Sequence, residues 1–136
     1  MPVEDQAAIE SILRSSKTIA LVGASENRFR DSNRIMRFLM EQGYTVHPVN
    51  PKYETVLGRT CYPSIVAVPG PIDIVDVFRR SEAVPSIVDE AIAVKAKTVW
   101  MQLGVVHEEA ARKAEKHGLN VLMDHCIAVD YSRFVR

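Results

Sequence analysis

The sequence predicts a single α/β domain built on a parallel five-stranded sheet with helices on both faces. Short apolar runs alternate along the chain with segments whose apolar residues are spaced three and four apart. The first run, Ile19–Val22, is apolar throughout, as in a strand buried on both faces. Strands that alternate with helices form right-handed βαβ units, so we expect one Rossmann-like domain over residues 1–136.

The first half of the chain predicts two helices and two strands. Their expected order is a helix over 5–15, a strand over 18–22, a helix over 32–42 and a strand over 44–49. Ser32 or Asn33 is expected to cap the second helix, and Gly43 to end it. Pro51, Gly58 and Pro63 predict an irregular connection over 51–64.

The second half continues the alternation. Strands are expected over 72–78, 98–101 and 120–123. A helix with Pro85 near its first turn follows the first of these strands. A second helix follows the loop 102–105, with acidic residues in its first turn, lysines in its last turn and Gly118 after it. Residues 124–136 are expected to form a short, partly polar tail.

The composition excludes several classes of protein. Seventeen basic and seventeen acidic residues give a net charge of zero, which indicates neither a nucleic-acid partner nor a membrane surface. The acidic start of the chain lacks the pattern of a signal peptide, and no apolar run is long enough to span a bilayer. Cys61 and Cys126 form no CxxC pair and no metal-ligand spacing. We therefore expect a cytoplasmic protein with reduced thiols and no bound metal.

The candidate site lies where the parallel strands end, because ligands of such sheets bind outside the carboxyl ends of the strands. Four segments meet there: 23–25, 50–52, 78–80 and 102–104. Gly23 allows a tight turn, and Ala24 and Ser25 are small enough for a diphosphate to approach backbone N–H groups. For the glycine alone, a plain strand-to-helix turn is the better interpretation.

A cluster of arginines also indicates an anionic ligand. Four of them surround the start of the second helix: Arg28, Arg30, Arg34 and Arg37. Cations at a helix N-terminus oppose the helix dipole, so the cluster favours an anionic ligand, and a solvated arginine face is the alternative. The turn lacks G-x-G-x-x-G, and Asn50 stands where an acidic residue would hold the ribose of NAD. Walker A is absent as well, so neither standard dinucleotide motif is present.

Five segments in register resemble one family. They are Val22–Ser25, Gly43–Pro51, Ile72–Arg79, Val99–Val105 and Met123–Cys126. Together they resemble the small CoA-binding-domain proteins, which are similar to the nucleotide-binding domain of the succinyl-CoA ligase α subunit. The resemblance covers essentially the whole chain, and it implies coenzyme A as the ligand.

The resemblance also implies how the ligand is divided along the strand ends. The turn 23–25 and the loop after it would hold the diphosphate, 50–52 the adenosine and its phosphates, 78–79 the adenine and ribose, and 102–104 the pantetheine arm. The implied cofactor-binding residues are Gly23, Ala24, Ser25, Arg30, Asn33, Asn50, Pro51, Lys52, Phe78, Arg79, Gln102 and Gly104.

The resemblance implies binding without catalysis. In the ligases the phosphohistidine lies in a second domain, and we expect this chain to have no counterpart of it. Among the strand-end residues no acid–base pair is evident, and none of the four histidines belongs to a catalytic motif. We expect a non-catalytic module that senses, carries or presents CoA or an acyl-CoA, alone or to a protein partner.

Three alternatives remain open at this point. One is a small nucleotide-dependent enzyme, either an NAD(P) oxidoreductase or an enzyme that handles acyl-CoA. Another is an interaction subunit whose fold has lost its ligand. The third concerns Cys126, which follows the last strand and could form a mixed disulfide with the CoA thiol, although an inert thiol is the default.

Overall fold

The computed structural model describes residues 1–135, and its strands and helices alternate along the chain. The strands are β1 (Thr18–Val22), β2 (Thr45–Val49), β3 (Thr55–Val56), β4 (Arg59–Thr60), β5 (Ile74–Val77), β6 (Thr98–Met101) and β7 (Asn120–Leu122). The helices are α1 (Gln6–Ser15), α2 (Asp31–Glu41), α3 (Val84–Ala93), α4 (Glu108–Lys116) and α5 (Ile127–Phe134). Two short 3₁₀ turns span Ile65–Ala67 and Ser81–Ala83.

Five parallel strands form the central sheet in the order β2-β1-β5-β6-β7. In the register, Val22 at the end of β1 pairs with Val49 of β2 and Val77 of β5. Val77 in turn pairs with Met101 of β6. The carboxyl ends of four strands therefore lie along one edge of the sheet, and the predicted parallel α/β fold is confirmed.

Helices cover both faces of this sheet, as the alternation of side chains along β1 illustrates. Ala20 and Val22 join one core cluster with residues of α3 and α4. Ile19 and Leu21 join the other cluster with residues of α1, α2 and α5. Each strand therefore contributes to two hydrophobic layers, which explains its apolar sequence. No helix within the described residues 1–135 is long and apolar enough to cross a membrane.

Two segments contain more regular structure than was predicted. Residues 51–64 were expected to form an irregular connection with little regular structure, and the two-residue strands β3 and β4 form a short antiparallel hairpin there. Its two turn residues, Leu57 and Gly58, have φ of 51° and 75°, which is the signature of the type I′ turn that joins tight hairpins. The expected tail at 124–136 contains α5, whose Tyr131 ring packs edge-on against the ring of Phe38 at 5.7 Å.

Candidate functional site

A cleft of about 670 Å³ opens at the carboxyl ends of β1, β2, β5 and β6. Ten of the twelve predicted cofactor-binding residues line it: Gly23, Ala24, Ser25, Arg30, Asn50, Pro51, Lys52, Phe78, Arg79 and Gln102. The other two, Asn33 and Gly104, are not among its lining residues. Six further residues line it: Asp31, Ser32, Tyr53, Arg80, Leu103 and Val105. Arg80 and Leu103 belong to the predicted segments 78–80 and 102–104, although they are not among the twelve predicted cofactor-binding residues.

The turn after β1 depends on Gly23. Its φ is +91°, and a Cβ added there would overlap the carbonyl oxygen of Phe78, the residue that follows β5. Its own N–H donates to the carbonyl of Val49 at 2.9 Å. Only glycine fits this position, because the backbone is both left-handed and pressed against a neighbouring strand end. The predicted tight turn is therefore confirmed.

Two asparagine side chains hold the carbonyl groups of this turn. Asn50 donates through Nδ2 to the carbonyl of Ala24 at 2.8 Å, and Asn33 donates in the same way to the carbonyl of Ser25 at 2.8 Å. No acceptor among residues 1–135 is bonded to the N–H groups of Ala24 and Ser25. With their carbonyls restrained, these two N–H groups are available to an anion. Asn33, 1% exposed, thus shapes the cleft without lining it.

The start of α2 presents further donors to the cleft. Arg30 occupies the N-cap position without a side-chain hydrogen bond, so the prediction that Ser32 or Asn33 caps the helix was wrong. Ser32 lines the cleft at 6% exposure, and its hydroxyl bonds no other group within residues 1–135. The N–H groups of Asp31 and Ser32 are also without an acceptor there. An uncapped helix N-terminus with a buried hydroxyl suits an anionic ligand.

Replacement of Asn33 by aspartate should weaken ligand binding without removing a cleft-lining group. The carboxylate cannot donate to the Ser25 carbonyl, so this oxygen loses its partner, at a cost of about 1–3 kcal/mol in the free energy of unfolding. The affinity for an anionic ligand, which the resemblance implies is CoA, should fall as the loop loosens. Chemical denaturation and a binding titration measure the two effects. Asn120→Asp, on the strand end opposite the cleft, is the matched control. Its Nδ2 donates to the hydroxyl of Thr98 at 3.4 Å, and because a hydroxyl can donate to a carboxylate in turn, this variant should change neither quantity.

Charges around the cleft are mostly positive. Arg30, Lys52, Arg79 and Arg80 all line it, and none of them forms an ion pair within the described residues. Its one lining carboxylate, Asp31, is already paired with Arg34. The cleft therefore has an excess of cations, which favours an anionic ligand.

The predicted arginine cluster divides into two roles. Arg34 donates to the carbonyl of Phe29 at 3.2 Å, and Arg37 donates to the carbonyl of Arg28 at 3.4 Å. Arg37 also donates through Nε to Oδ1 of Asn33 at 3.0 Å. These two arginines hold the loop in place, while Arg30 lines the cleft.

The β3–β4 hairpin closes one side of the loop. Glu26 accepts a hydrogen bond from the N–H of Leu57 at 2.7 Å. The hydroxyl groups of Ser25 and Tyr53 lie 3.5 Å apart. Tyr53 was not assigned to the site from the sequence. It lies one residue beyond the predicted segment 50–52, and its N–H donates to the carbonyl of Asn50 at 3.4 Å.

The loop after β6 is anchored by the segment after β7. The N–H of Gly104 donates to Oδ1 of Asp124 at 2.7 Å, so this glycine holds the loop and does not line the cleft. Asp124 itself has a φ of 59°, which turns the chain out of β7. The next residue, His125, pairs through Nδ1 with Asp130 at 2.8 Å, and its ring packs edge-on against Trp100. The His125–Asp130 pair lies at the N-terminal end of α5. It was not predicted from the sequence.

Neither cysteine lines the cleft. Burial raises the pKa of the Cys61 thiol, which donates to the carbonyl of Asn50. Cys126 is half-buried at the N-cap of α5, and its reaction with a CoA thiol stays a prediction. Within residues 1–135 no three His, Cys, Asp or Glu side chains group as metal ligands.

One carboxyl outside the cleft is fully buried. Asp76 lies on β5, between Leu21 and Trp100 in the register, and neither of its oxygens has a hydrogen-bond partner among the described residues. Burial raises its pKa well above the ordinary value. Burial therefore favours the neutral form of this carboxyl, since an isolated charge in an apolar layer is costly.

The fold and the cleft together define a class of protein, a Rossmann-like domain with unbonded N–H groups at the turn after β1 and a cationic rim. Within this class, residues 17–132 match the family model described as the CoA binding domain. The chain belongs to this family.

Relatives fall into two groups of different length. The protein YneT of Bacillus subtilis is 40% identical over 127 residues, which cover 93% of this chain and 94% of YneT. The ADP-forming acetate–CoA ligase I of Archaeoglobus fulgidus is 29% identical over 83% of this chain, which is only 18% of the ligase. This chain therefore corresponds to one small part of the ligase and to nearly all of YneT.

A solved structure agrees with the fold. A hypothetical protein from Pyrococcus horikoshii OT3 is 41% identical and superposes with a TM-score of 0.96, over 100% of this chain and 97% of that chain. The predicted resemblance to stand-alone CoA-binding-domain proteins is thus confirmed.

Proposed function

We propose that this protein binds coenzyme A, or an acyl-CoA, in the cleft at the carboxyl ends of the strands, as a non-catalytic module in the cytoplasm. The observation that carries the proposal is the combination of free N–H groups and unpaired cations at one end of a cleft of about 670 Å³. Membership of the CoA binding domain family supports coenzyme A as the occupant. A protein partner that receives or senses the bound ligand is part of the same proposal.

The donors suit the diphosphate of CoA. The unbonded N–H groups of Ala24, Ser25, Asp31 and Ser32 belong to residues that line the cleft at the turn and at the start of α2, and the Ser32 hydroxyl is a fifth donor. A helix N-terminus and a glycine turn form the usual cradle for phosphate oxygens. Lys52, Arg79 and Arg80 supply the positive charge that a ligand with three phosphate groups needs.

The residues of the cleft favour binding over chemistry. Asp31 is its one carboxylate and is paired with Arg34, and no histidine or cysteine is among its lining residues. Lys52 and Tyr53 also line it, but neither is hydrogen-bonded to a carboxylate or to a histidine within the described residues. General acid–base catalysis is carried most often by a histidine. The His125–Asp130 pair does not line the cleft and is bonded at the start of α5.

Calorimetric titration with CoA, acetyl-CoA, NAD and NADP tests the proposal. Binding of CoA or acetyl-CoA with at least tenfold preference over both dinucleotides is the expected result. Binding of a dinucleotide and not of CoA would overturn the proposal and favour the oxidoreductase. Turnover of acetyl-CoA during the titration, detected as free thiol, would instead indicate an acyl-CoA-handling enzyme.

Replacement of Arg79 by glutamine should weaken CoA binding about ten- to hundredfold. The guanidinium lines the cleft beside the phosphate turn, and a charge-assisted hydrogen bond contributes about 1.5–3 kcal/mol. The affinity of the variant should also depend less on salt concentration, because one ionic contact is missing. Arg112→Gln, on the exposed side of α4, is the matched control. Equal affinity of both variants for CoA would remove Arg79 from the site.

A further inference from the structure

The loop after β1, residues 23–30, is bonded to the β3–β4 hairpin through Glu26. Its Oε1 accepts a hydrogen bond from the N–H of Leu57 at 2.7 Å. Within residues 1–135, the other hydrogen-bond contact from this loop towards the hairpin is longer, at 3.5 Å between the hydroxyl groups of Ser25 and Tyr53. The Glu26–Leu57 bond is therefore the main polar link between the cleft-lining loop and the hairpin.

The N–H of Leu57 has no acceptor inside the hairpin. The paired residues of β3 and β4 end at Val56 and Arg59, which leaves Leu57 and Gly58 as the turn. Leu57 has a left-handed φ of 51°, which aliphatic residues rarely adopt. In this conformation its N–H donates away from the hairpin, and the carboxylate of Glu26 satisfies it.

The hairpin is a firm support for the loop because it is packed into the core. Val56 is fully buried and belongs to the same hydrophobic cluster as Ala24 of the turn. The half-buried side chain of Leu57 packs against this cluster as well. Segments with few buried contacts open most easily, so a bond to a packed hairpin restricts the exposed part of the loop.

The charge of Glu26 has the wrong sign for holding an anion directly. Its neighbour Ser25 lines the cleft, and no cation forms an ion pair with Glu26 within the described residues. An unpaired carboxylate beside an anion site lowers the affinity for an anion by repulsion. The hydrogen bond and the charge of Glu26 therefore have opposite expected effects on binding, and substitutions can separate them.

We propose that Glu26 is a positioning residue, whose hydrogen bond to Leu57 holds the loop in the conformation that makes the N–H groups of Ala24 and Ser25 available to an anion. The inference rests on the proposed function, in which this anion is a phosphate group of CoA. Without the bond the loop also populates other conformations, and the apparent affinity falls with the fraction of molecules that can bind. The hairpin, which is not part of the five-stranded sheet, thus contributes to ligand binding.

Titration of Glu26→Ala and Glu26→Gln with CoA separates the hydrogen bond from the charge. Alanine removes both, whereas glutamine removes the charge and keeps an oxygen that accepts from the N–H of Leu57. We expect Glu26→Ala to bind CoA about fivefold more weakly than wild type, the scale of one lost hydrogen bond. Glu26→Gln should bind CoA at least as tightly as wild type, because the repulsion is gone.

Glu54→Ala is the matched control for these variants. Glu54 lies just before β3, is exposed, and its carboxylate accepts no hydrogen bond within residues 1–135. The control removes a carboxylate near the hairpin without removing a link to the loop, so it should not weaken CoA binding.

NMR relaxation of the backbone amides tests the positioning role without a ligand. The N–H groups of Ala24 and Ser25 should be more mobile in Glu26→Ala than in wild type, and as restricted as in wild type in Glu26→Gln. Equal CoA affinities of wild type and Glu26→Ala, or tighter binding by both variants, would overturn the inference and leave the proposed function intact. If wild type does not bind CoA, the proposed function fails, and the relaxation data alone decide whether Glu26 positions the loop.

Discussion

Replacement of Gly23 by alanine is expected to destabilise the fold and to abolish CoA binding. At a φ of +91° an alanine is strained, and its Cβ would overlap the carbonyl of Phe78, so the turn and the end of β5 must move apart. We expect a loss of about 3–5 kcal/mol in the free energy of unfolding, from backbone strain and from the displaced strand end together. Urea denaturation measures this loss.

Gly118→Ala is the matched control for this variant. Gly118 also has a positive φ, of 84°, but a Cβ added there would meet nothing within 4 Å. The control has only the strain of a left-handed backbone, and its free energy of unfolding should fall by about 1–2 kcal/mol. If the two variants lost equal stability, the contact between the turn and Phe78 would not be the reason that glycine is needed at position 23.

Replacement of Asp76 by asparagine is expected to change how stability depends on pH. The pKa of Asp76 is raised by burial in the folded protein, from an ordinary value of 3.8, so the folded state retains a proton that the unfolded state has lost. Stability must then fall as the pH rises above about 3.8 towards the raised pKa, by up to about 1.4 kcal/mol per pH unit. The variant cannot ionise and should lack this decline. Urea denaturation between pH 4 and pH 8 measures both slopes.

Asp73, three residues earlier, provides a control of opposite sign. Burial would raise its pKa, but hydrogen bonds from the N–H groups of Lys17 and Thr18, with Lys97 nearby, together lower it. Its contribution to stability is present above the ordinary pKa and is lost as the pH falls below it. Asp73→Asn should therefore reduce the dependence of the free energy of unfolding on pH only below the ordinary pKa of aspartate. An unchanged slope above pH 4 in Asp76→Asn would contradict the buried, neutral carboxyl.

The central sheet could be predicted from the sequence because its strands are buried on both faces. β1 and β6 match their predicted bounds. A continuous apolar run such as Ile19–Val22 is typical of a strand that is buried on both faces of a sheet. The hairpin was missed because β3 and β4 contain two residues each, too few for any periodicity. α5 was missed because contacts made far along the chain hold it, among them the Tyr131–Tyr44 ring contact at 5.9 Å.

The parts of the candidate site that consist of strand ends could be predicted from the sequence. The parts that depend on hydrogen bonds between side chains and the loop after β1 could not. Gly23, Pro51 and Gln102 line the cleft because the parallel topology alone brings them together. Asn33 was expected to contact the ligand, yet it bonds the Ser25 carbonyl instead, which depends on the path of the loop. Ser32 was expected to cap α2, and only the structure shows its hydroxyl in the cleft.

An amide NMR titration with CoA tests the central claim most directly, because it reports binding and its location together. We expect saturable shifts that are largest at Ala24, Ser25, Ser32 and Gln102, with smaller ones at the first residue of α5 through its bond to Gln102. Shifts confined to the groove at the opposite end of the sheet, beside Tyr44 and Tyr131, would contradict the account. So would the absence of any shift at millimolar CoA.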